Sequence, residues 1–243
     1  NEYSYEHIMV DEAQDRSAFE LIILALLSKR ESLTLLGDIN QAIYSYRSFG
    51  TWGELRSHFT RSLLSFYTMR MSYRSAEEVM EWSNRLIRDP SARGIPVYQV
   101  KKKPKITKIQ TNGEAITNMT SIIREWRREG MRSIGIIVKQ LDGCKFLYDK
   151  LKESLPEENI KVILTEMNEF SLGVSIVPVI LAKGLEFDGV IVANASEEHY
   201  QKTELDRILL YVALSRALYR LHIFYAKRIS PYLNNEISDE VSF

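Results

Sequence analysis

Residues 8–15 read Ile-Met-Val-Asp-Glu-Ala-Gln-Asp, a short apolar run that ends in two adjacent carboxylates. A run this short, bounded by polar residues, reads as a buried strand, here residues 5–10. An amphipathic helix over 18–27 and a second strand at 32–36 follow it. Further along, the pattern predicts a strand at 63–71 and a helix at 76–86. It then predicts strands at 105–110, 134–139, 160–164, 174–180, 189–193 and 221–226, with helices at 114–128, 144–154 and 205–218. Short apolar strands alternating with amphipathic helices are the signature of an α/β protein with a mainly parallel sheet.

Residues 89–105 interrupt the alternation. They hold Pro90, Pro96 and Pro104 out of six prolines, and the basic run Lys101–Lys103 with Lys105. That composition reads as an inter-domain linker joining two α/β lobes. The 243 residues, 45% hydrophobic and 26% charged, suit a globular chain with a sizeable core and exclude a disordered tail or a disulfide scaffold. The apolar run 21–27 falls well short of the roughly 20 residues of a membrane helix. No leader is visible, and the lone Cys144 fits a reducing compartment, so a cytoplasmic protein without a membrane partner is expected. The 32 basic and 32 acidic residues neither favour nor exclude a polyanion. His7, His58, His199 and His222 lack metal-ligand spacing.

Five stretches carry side chains suited to nucleotide chemistry. In the first, a carboxylate at a strand's end can hold Mg²⁺, and its neighbour can orient or deprotonate water. An acidic helix start is the plainer alternative for Asp11 and Glu12. Residues 33–48, Leu-Thr-Leu-Leu-Gly-Asp-Ile-Asn-Gln-Ala-Ile-Tyr-Ser-Tyr-Arg-Ser, place the tight polar turn Gly37-Asp38 after a strand, followed by the amide of Gln41. Tyr44 and Tyr46 offer faces for base stacking and Arg47 a phosphate contact, unless the tyrosines are ordinary half-buried aromatics. Tyr73-Arg74 stand just before a helix, where Ser75 reads as the N-cap. In residues 181–188, Leu-Ala-Lys-Gly-Leu-Glu-Phe-Asp, Gly184 permits close backbone approach and Glu186 can accept from a ribose hydroxyl, or the segment is a plain connection with exposed charges. Arg216 ends an apolar helix, where a guanidinium either complements the helix dipole or faces a transferred phosphoryl group.

In order and spacing together, these motifs resemble motifs II to VI of the superfamily 1A helicases, the UvrD/Rep/PcrA group, across nearly the whole chain. The resemblance implies ATP and Mg²⁺ as cofactors, with Asp11 holding the metal and Glu12 the catalytic base. It implies Gln41 close to the γ-phosphate, Tyr73 against adenine, and Arg74 and Arg216 as two γ-phosphate arginines, with Gly184 and Glu186 near the nucleotide. Tyr46 and Arg47 would face nucleic acid. The implied fold is two RecA-like parallel-sheet lobes of the P-loop NTPase type. Residues 1–95 would be the C-terminal part of domain 1A, 96–105 a linker, and 106–243 domain 2A without a 2B insertion.

The departures from the family pattern carry expectations of their own. No Gly-x₄-Gly-Lys-Ser/Thr loop occurs in the chain, which begins at Asn1. The family places that loop upstream, so an N-terminal half is expected to precede this fragment, and the fragment alone is expected not to hydrolyse ATP. Tyr46 replaces a tryptophan, Ser48-Phe49 a Gly-Ala pair, and Pro178 and Ile180 a Thr-x-His. These positions help hold single-stranded DNA in the repair enzymes. Pro-Val-Ile-Leu-Ala-Lys-Gly-Leu-Glu-Phe-Asp with a compact second domain most resembles the HelD branch, bacterial ATPases that bind RNA polymerase. The expected partners are therefore single-stranded or duplex DNA and RNA polymerase. A 3′–5′ repair helicase of the UvrD/PcrA type and a non-hydrolysing interaction module are the rival readings.

Overall fold

The computed structural model describes residues 5–43, 50–59, 65–165 and 172–234. The chain divides into two compact units, 1–69 and 70–243.

In the first unit, β1 (Ile8–Val10) lies parallel to β2 (Leu33–Leu35), with Ile8 opposite Leu33 and Val10 opposite Leu35. Helix α1 (Ala18–Leu27) connects them. Its start is fixed by a capping box in which the Ser17 hydroxyl accepts from Glu20 N and the Glu20 carboxylate accepts from Ser17 N. α2 (Trp52–Ser57) opens on the same device, built from Thr51 and Glu54. The core of this unit is thin: Val10, Ala13, Leu21 and Leu55 are buried, while Met9, Phe19 and Leu26 stay exposed.

The second unit begins with β3 (Met71–Ser72), α3 (Glu77–Asn84) and β4 (Ile95–Pro96), β3 and β4 pairing in parallel. There follow β5 (Lys105–Ile109), α4 (Asn112–Arg128), β6 (Ser133–Val138), α5 (Asp142–Ser154), β7 (Ile160–Val162), β8 (Gly173–Pro178), β9 (Phe187–Val192), α6 (Glu204–Leu214) and β10 (Ala217–Ala226). The six strands from β5 on form one parallel sheet in the order β5-β10-β9-β6-β8-β7. Ile134, Ile136, Val174, Ile176 and Ile191 are fully buried, and Met119, Ile123 and Trp126 of α4 pack against them. Central strands of a covered parallel sheet bury both faces and read as near-continuous apolar runs, as β6 does after Ser133 and β8 does apart from Ser175. The α/β expectation with RecA-like parallel sheets therefore holds.

Three boundaries differ from the sequence reading. The units divide at Met69 and Arg70, not at 96–105. The segment read as the end of the first lobe and its linker is stapled to the second unit instead: Ala76 N donates to Leu218 O (2.8 Å) and Ser75 Oγ to Ala217 O (3.0 Å). Residues 94–101 are held on α3 by the paired Asn84 amide and Gly94 backbone (2.8 and 2.9 Å) and by Val100 N donating to Glu78 (3.2 Å). Helix α6 stops at Leu214, because the apolar residues that follow open strand β10. In the predicted strand 63–71, pairing among the described residues is confined to Met71, which continues into Ser72. No helix of the described residues is long and apolar enough to cross a membrane.

Candidate functional site

The sequence-predicted residues fall into two clusters, one in each unit. In the first unit, parallel pairing brings the carboxyl ends of β1 and β2 side by side, where open α/β sheets present ligand sites. Leu36 N donates to Val10 O (2.9 Å) and Ala13 N to Leu36 O (2.8 Å), so the two loops run locked together. Asp11 is exposed at the strand end and accepts from Glu12 N at 2.8 Å. Glu12 occupies the left-handed region (φ 51°, ψ 40°), sparsely populated by residues other than glycine. This turn aims its carboxylate at Gln14, whose Nε2 donates to Glu12 Oε2 at 2.6 Å.

Gln14 is 1% exposed, and its Oε1 accepts from Asp38 N at 3.1 Å. Asp38 Oδ1 accepts from Asn40 N (2.9 Å) and Asn40 Nδ2 (3.1 Å), while Oδ2 accepts from Gln41 Nε2 (2.9 Å). Glu12 and Gln41 are thus joined through Gln14 and Asp38. A single exposed carboxylate at a strand end suits Mg²⁺, which keeps most of its water and is held by one or two carboxylates plus phosphates; Asp11 fits that role. Among the described residues no three His, Cys, Asp or Glu side chains gather into a closed metal site.

In the second unit, Ala217 pairs with Phe187 at the amino ends of β10 and β9, which places Arg216 and Glu186 next to each other just ahead of the sheet. Gly184 has φ +78°, a turn that a side chain strains, and Leu185 N closes it onto Ala182 O (3.1 Å). Glu186 Oε1 meets Arg74 Nε at 2.9 Å, both side chains about half exposed. Tyr98 OH donates to Arg74 O (2.7 Å) and fixes the backbone there. Tyr73 is exposed, as a stacking face requires. Ser75 is not the N-cap of α3; that position is Ala76, and the Ser75 hydroxyl points at Ala217 O instead.

Arg216 is 2% exposed. Its Nε donates to Val212 O (3.1 Å), Nη1 to Leu185 O (3.3 Å) and Nη2 to Ser215 Oγ (3.0 Å), and its own carbonyl accepts from Phe187 N (3.0 Å). The guanidinium therefore closes the end of α6 and clamps the turn that carries Glu186. The structure brings Arg74, Glu186, Gly184 and Arg216 together, and separately Asp11, Glu12 and Gln41. Tyr46 and Arg47 lie outside the described residues, as does Tyr44. The sequence reading gave no role to Gln14 or to the Arg74–Glu186 pair.

A family model described as the UvrD/REP helicase N-terminal domain matches residues 2–50, and one described as the UvrD-like helicase C-terminal domain matches residues 173–224. A mimivirus protein named as a candidate ATP-dependent DNA helicase (R568, Acanthamoeba polyphaga mimivirus) is 25% identical over 96% of the chain. The ATP-dependent DNA helicase Rep of Buchnera aphidicola is 33% identical over 34% of the chain. The chain spans 36% and 12% of the lengths of these two relatives. The crystal structure of the C-terminal domain of a possible DNA helicase from Lactobacillus plantarum WCFS1 superposes with a TM-score of 0.55 at 32% identity, covering 67% of this chain and 92% of that one.

Proposed function

Because this chain belongs to the UvrD-like helicase superfamily, we propose that it supplies part of the ATP-hydrolysing motor of a DNA-dependent translocase, in the manner of its HelD-like branch. The observation that carries the ATPase reading is the hydrogen-bonded array Glu12–Gln14–Asp38–Gln41 at the carboxyl ends of β1 and β2. In this reading Asp11 would hold Mg²⁺, which would supply positive charge to offset that of the phosphates. Glu12 accepts a proton from the attacking water at its carboxylate, and the Gln41 amide orients the γ-phosphate side of the reaction. Arg74 and Arg216 meet phosphoryl charge with guanidinium groups, whose planar fork matches two oxygens at once. Tyr73 offers its exposed ring to adenine, and Gly184 and Glu186 lie near the nucleotide. The names of the relatives, both DNA helicases, support DNA as the substrate.

The HelD-like refinement, with RNA polymerase as partner, rests on Pro178 and Ile180. Pro178 is buried at the end of β8 and Ile180 is exposed, so neither offers a polar group where the repair enzymes hold single-stranded DNA. The test uses the whole protein of which this chain is part. Glu12→Gln should lower steady-state phosphate release by about 10²- to 10⁴-fold with nucleotide binding retained; unchanged turnover refutes the ATPase assignment. The same preparation should unwind tailed duplex DNA poorly and co-purify with RNA polymerase. Robust unwinding with no polymerase bound would return the repair-helicase reading.

A further inference from the structure

We propose that Gln14 is a positioning residue that fixes the carboxylate of Glu12 and couples it to Gln41 through Asp38; the proposal rests on the ATPase reading above. A buried amide needs partners at both ends. Here the orientation is decided by chemistry: only the amide oxygen can accept from Asp38 N, so the NH₂ must face Glu12. The 2.6 Å contact is a charge-assisted hydrogen bond, and it holds Glu12 Oε2 so that the carboxyl group cannot rotate freely.

The seat for this amide is built by sequence elsewhere. A Cβ on Gly37 would stand 2.1 Å from Gln14 Oε1 and 3.2 Å from Ala13 N, so any side chain at 37 expels the amide. Asp38 follows directly, its backbone N–H on Gln14 and its Oδ2 on Gln41. A shift of Gln41 therefore moves Asp38, the acceptor on Gln14 and finally the Glu12 carboxylate. A general base delivers its rate only when aimed, and a misplacement of about 1 Å costs on the order of 10²-fold.

The whole protein is compared as wild type, Gln14→Met and Gly37→Ala; the last displaces Gln14 without changing its chemistry, and serves if Gln14→Met fails to fold. Turnover, KM for Mg-ATP, affinity for ADP and for ADP–aluminium fluoride, and the thermal midpoint are measured on each. The expected result is a kcat lower by about 10²-fold, with KM and ADP affinity nearly unchanged and ADP–aluminium fluoride binding weakened by a comparable factor. An unchanged kcat in a folded variant overturns the proposal. So does a loss of kcat that merely follows a lowered midpoint and weakened ADP binding, since Gln14 would then only staple two loops. A wild-type protein without ATP turnover overturns the ATPase reading and this proposal together, which separates the two failures.

Discussion

The two units solve opposite problems with the same α/β grammar. Among its described residues the first has a two-stranded sheet, a small buried cluster of Val10, Ala13, Leu21 and Leu55, and exposed apolar residues on β1 and α1, yet its polar loops are tied residue by residue. The second has a six-stranded sheet sealed by helices, and its candidate residues hang from a rigid frame. A two-stranded sheet is marginal by itself, whereas a covered parallel sheet carries its own core. The chemistry differs as well. Unit 1 gathers carboxylates and amides at the carboxyl ends of its strands, and unit 2 gathers two arginines and a glutamate at the amino ends of β9 and β10. Precision in the first comes from hydrogen bonds, and in the second from the packed sheet.

The largest effect should come from asking whether unit 2 contributes chemistry or only architecture. Arg216 has architectural work already, holding Val212 O and Leu185 O. If it also faces phosphoryl charge, Arg216→Ala in the whole protein should lower kcat by about 10³-fold or more, as arginines in that role do. Arg216→Lys should not restore it, because an ammonium lacks the planar fork. A purely structural arginine predicts a loss of about 1–3 kcal/mol of stability with turnover intact. Turnover and unfolding measured on one preparation decide between the two, and normal kcat would leave unit 2 as scaffold.

The second test sharpens the claim that unit 2 has its own deep core. His222 lies buried on β10, stacked 4.7 Å from Phe224, with Nε2 2.8 Å from Thr107 Oγ1. Burial, with the nearby charges of Lys105 and Arg220, lowers its pKa to about 4. The folded imidazole thus stays neutral where the unfolded one, near 6.5, takes a proton. The unfolded state binds more protons in that window, so the stabilisation is present above pH 6.5 and lost progressively as the pH falls to 4. The loss should be about 3 kcal/mol. Urea unfolding at pH 7, 5.5 and 4.5 should show this slope, and His222→Gln should flatten it. His7 of unit 1, by contrast, is exposed between Ser32 and Thr34. A slope that survives His222→Gln would place the acid sensitivity elsewhere.

The same contrast explains what the sequence revealed. β6 and β8 were legible because central strands bury both faces and read as apolar runs; Asp11, Glu12 and Gln41 were legible because each follows a strand. The end of α6 was not, since Ala217 and Leu218 continue an apolar pattern that suits helix and strand alike. The prolines and lysines of 89–105 suggested a free linker, but Asn84 and Glu78 hold that segment by hydrogen bonds to its backbone, which composition does not register. Gln14 stood in plain sight two residues from Glu12, a spacing with no periodic meaning, and its role depends on a glycine in another loop. Arg74 and Glu186 meet only because β10 carries the 74–76 backbone to the turn that precedes β9.

That pair gives the smallest expected effect on stability. Arg74 Nε and Glu186 Oε1 are 2.9 Å apart, but the side chains are 39% and 45% exposed. Exposed ion pairs contribute about 0–1 kcal/mol, because water already solvates both charges and the side chains lose freedom in pairing. A double-mutant cycle with Arg74→Ala and Glu186→Gln should therefore show a coupling below about 1 kcal/mol in urea unfolding. It should fade in about 1 M salt, where the screening length is only about 3 Å. Turnover should respond differently. If Arg74 serves a γ-phosphate, the carboxylate restrains its guanidinium, and removing either partner should change ATP hydrolysis by more than it changes folding. Coupling strong in turnover and weak in unfolding makes the pair part of the nucleotide site. Coupling strong in unfolding and absent from turnover would make it one more staple of the packed unit, and would erase the distinction between a chemical cluster and its frame on that side of the molecule.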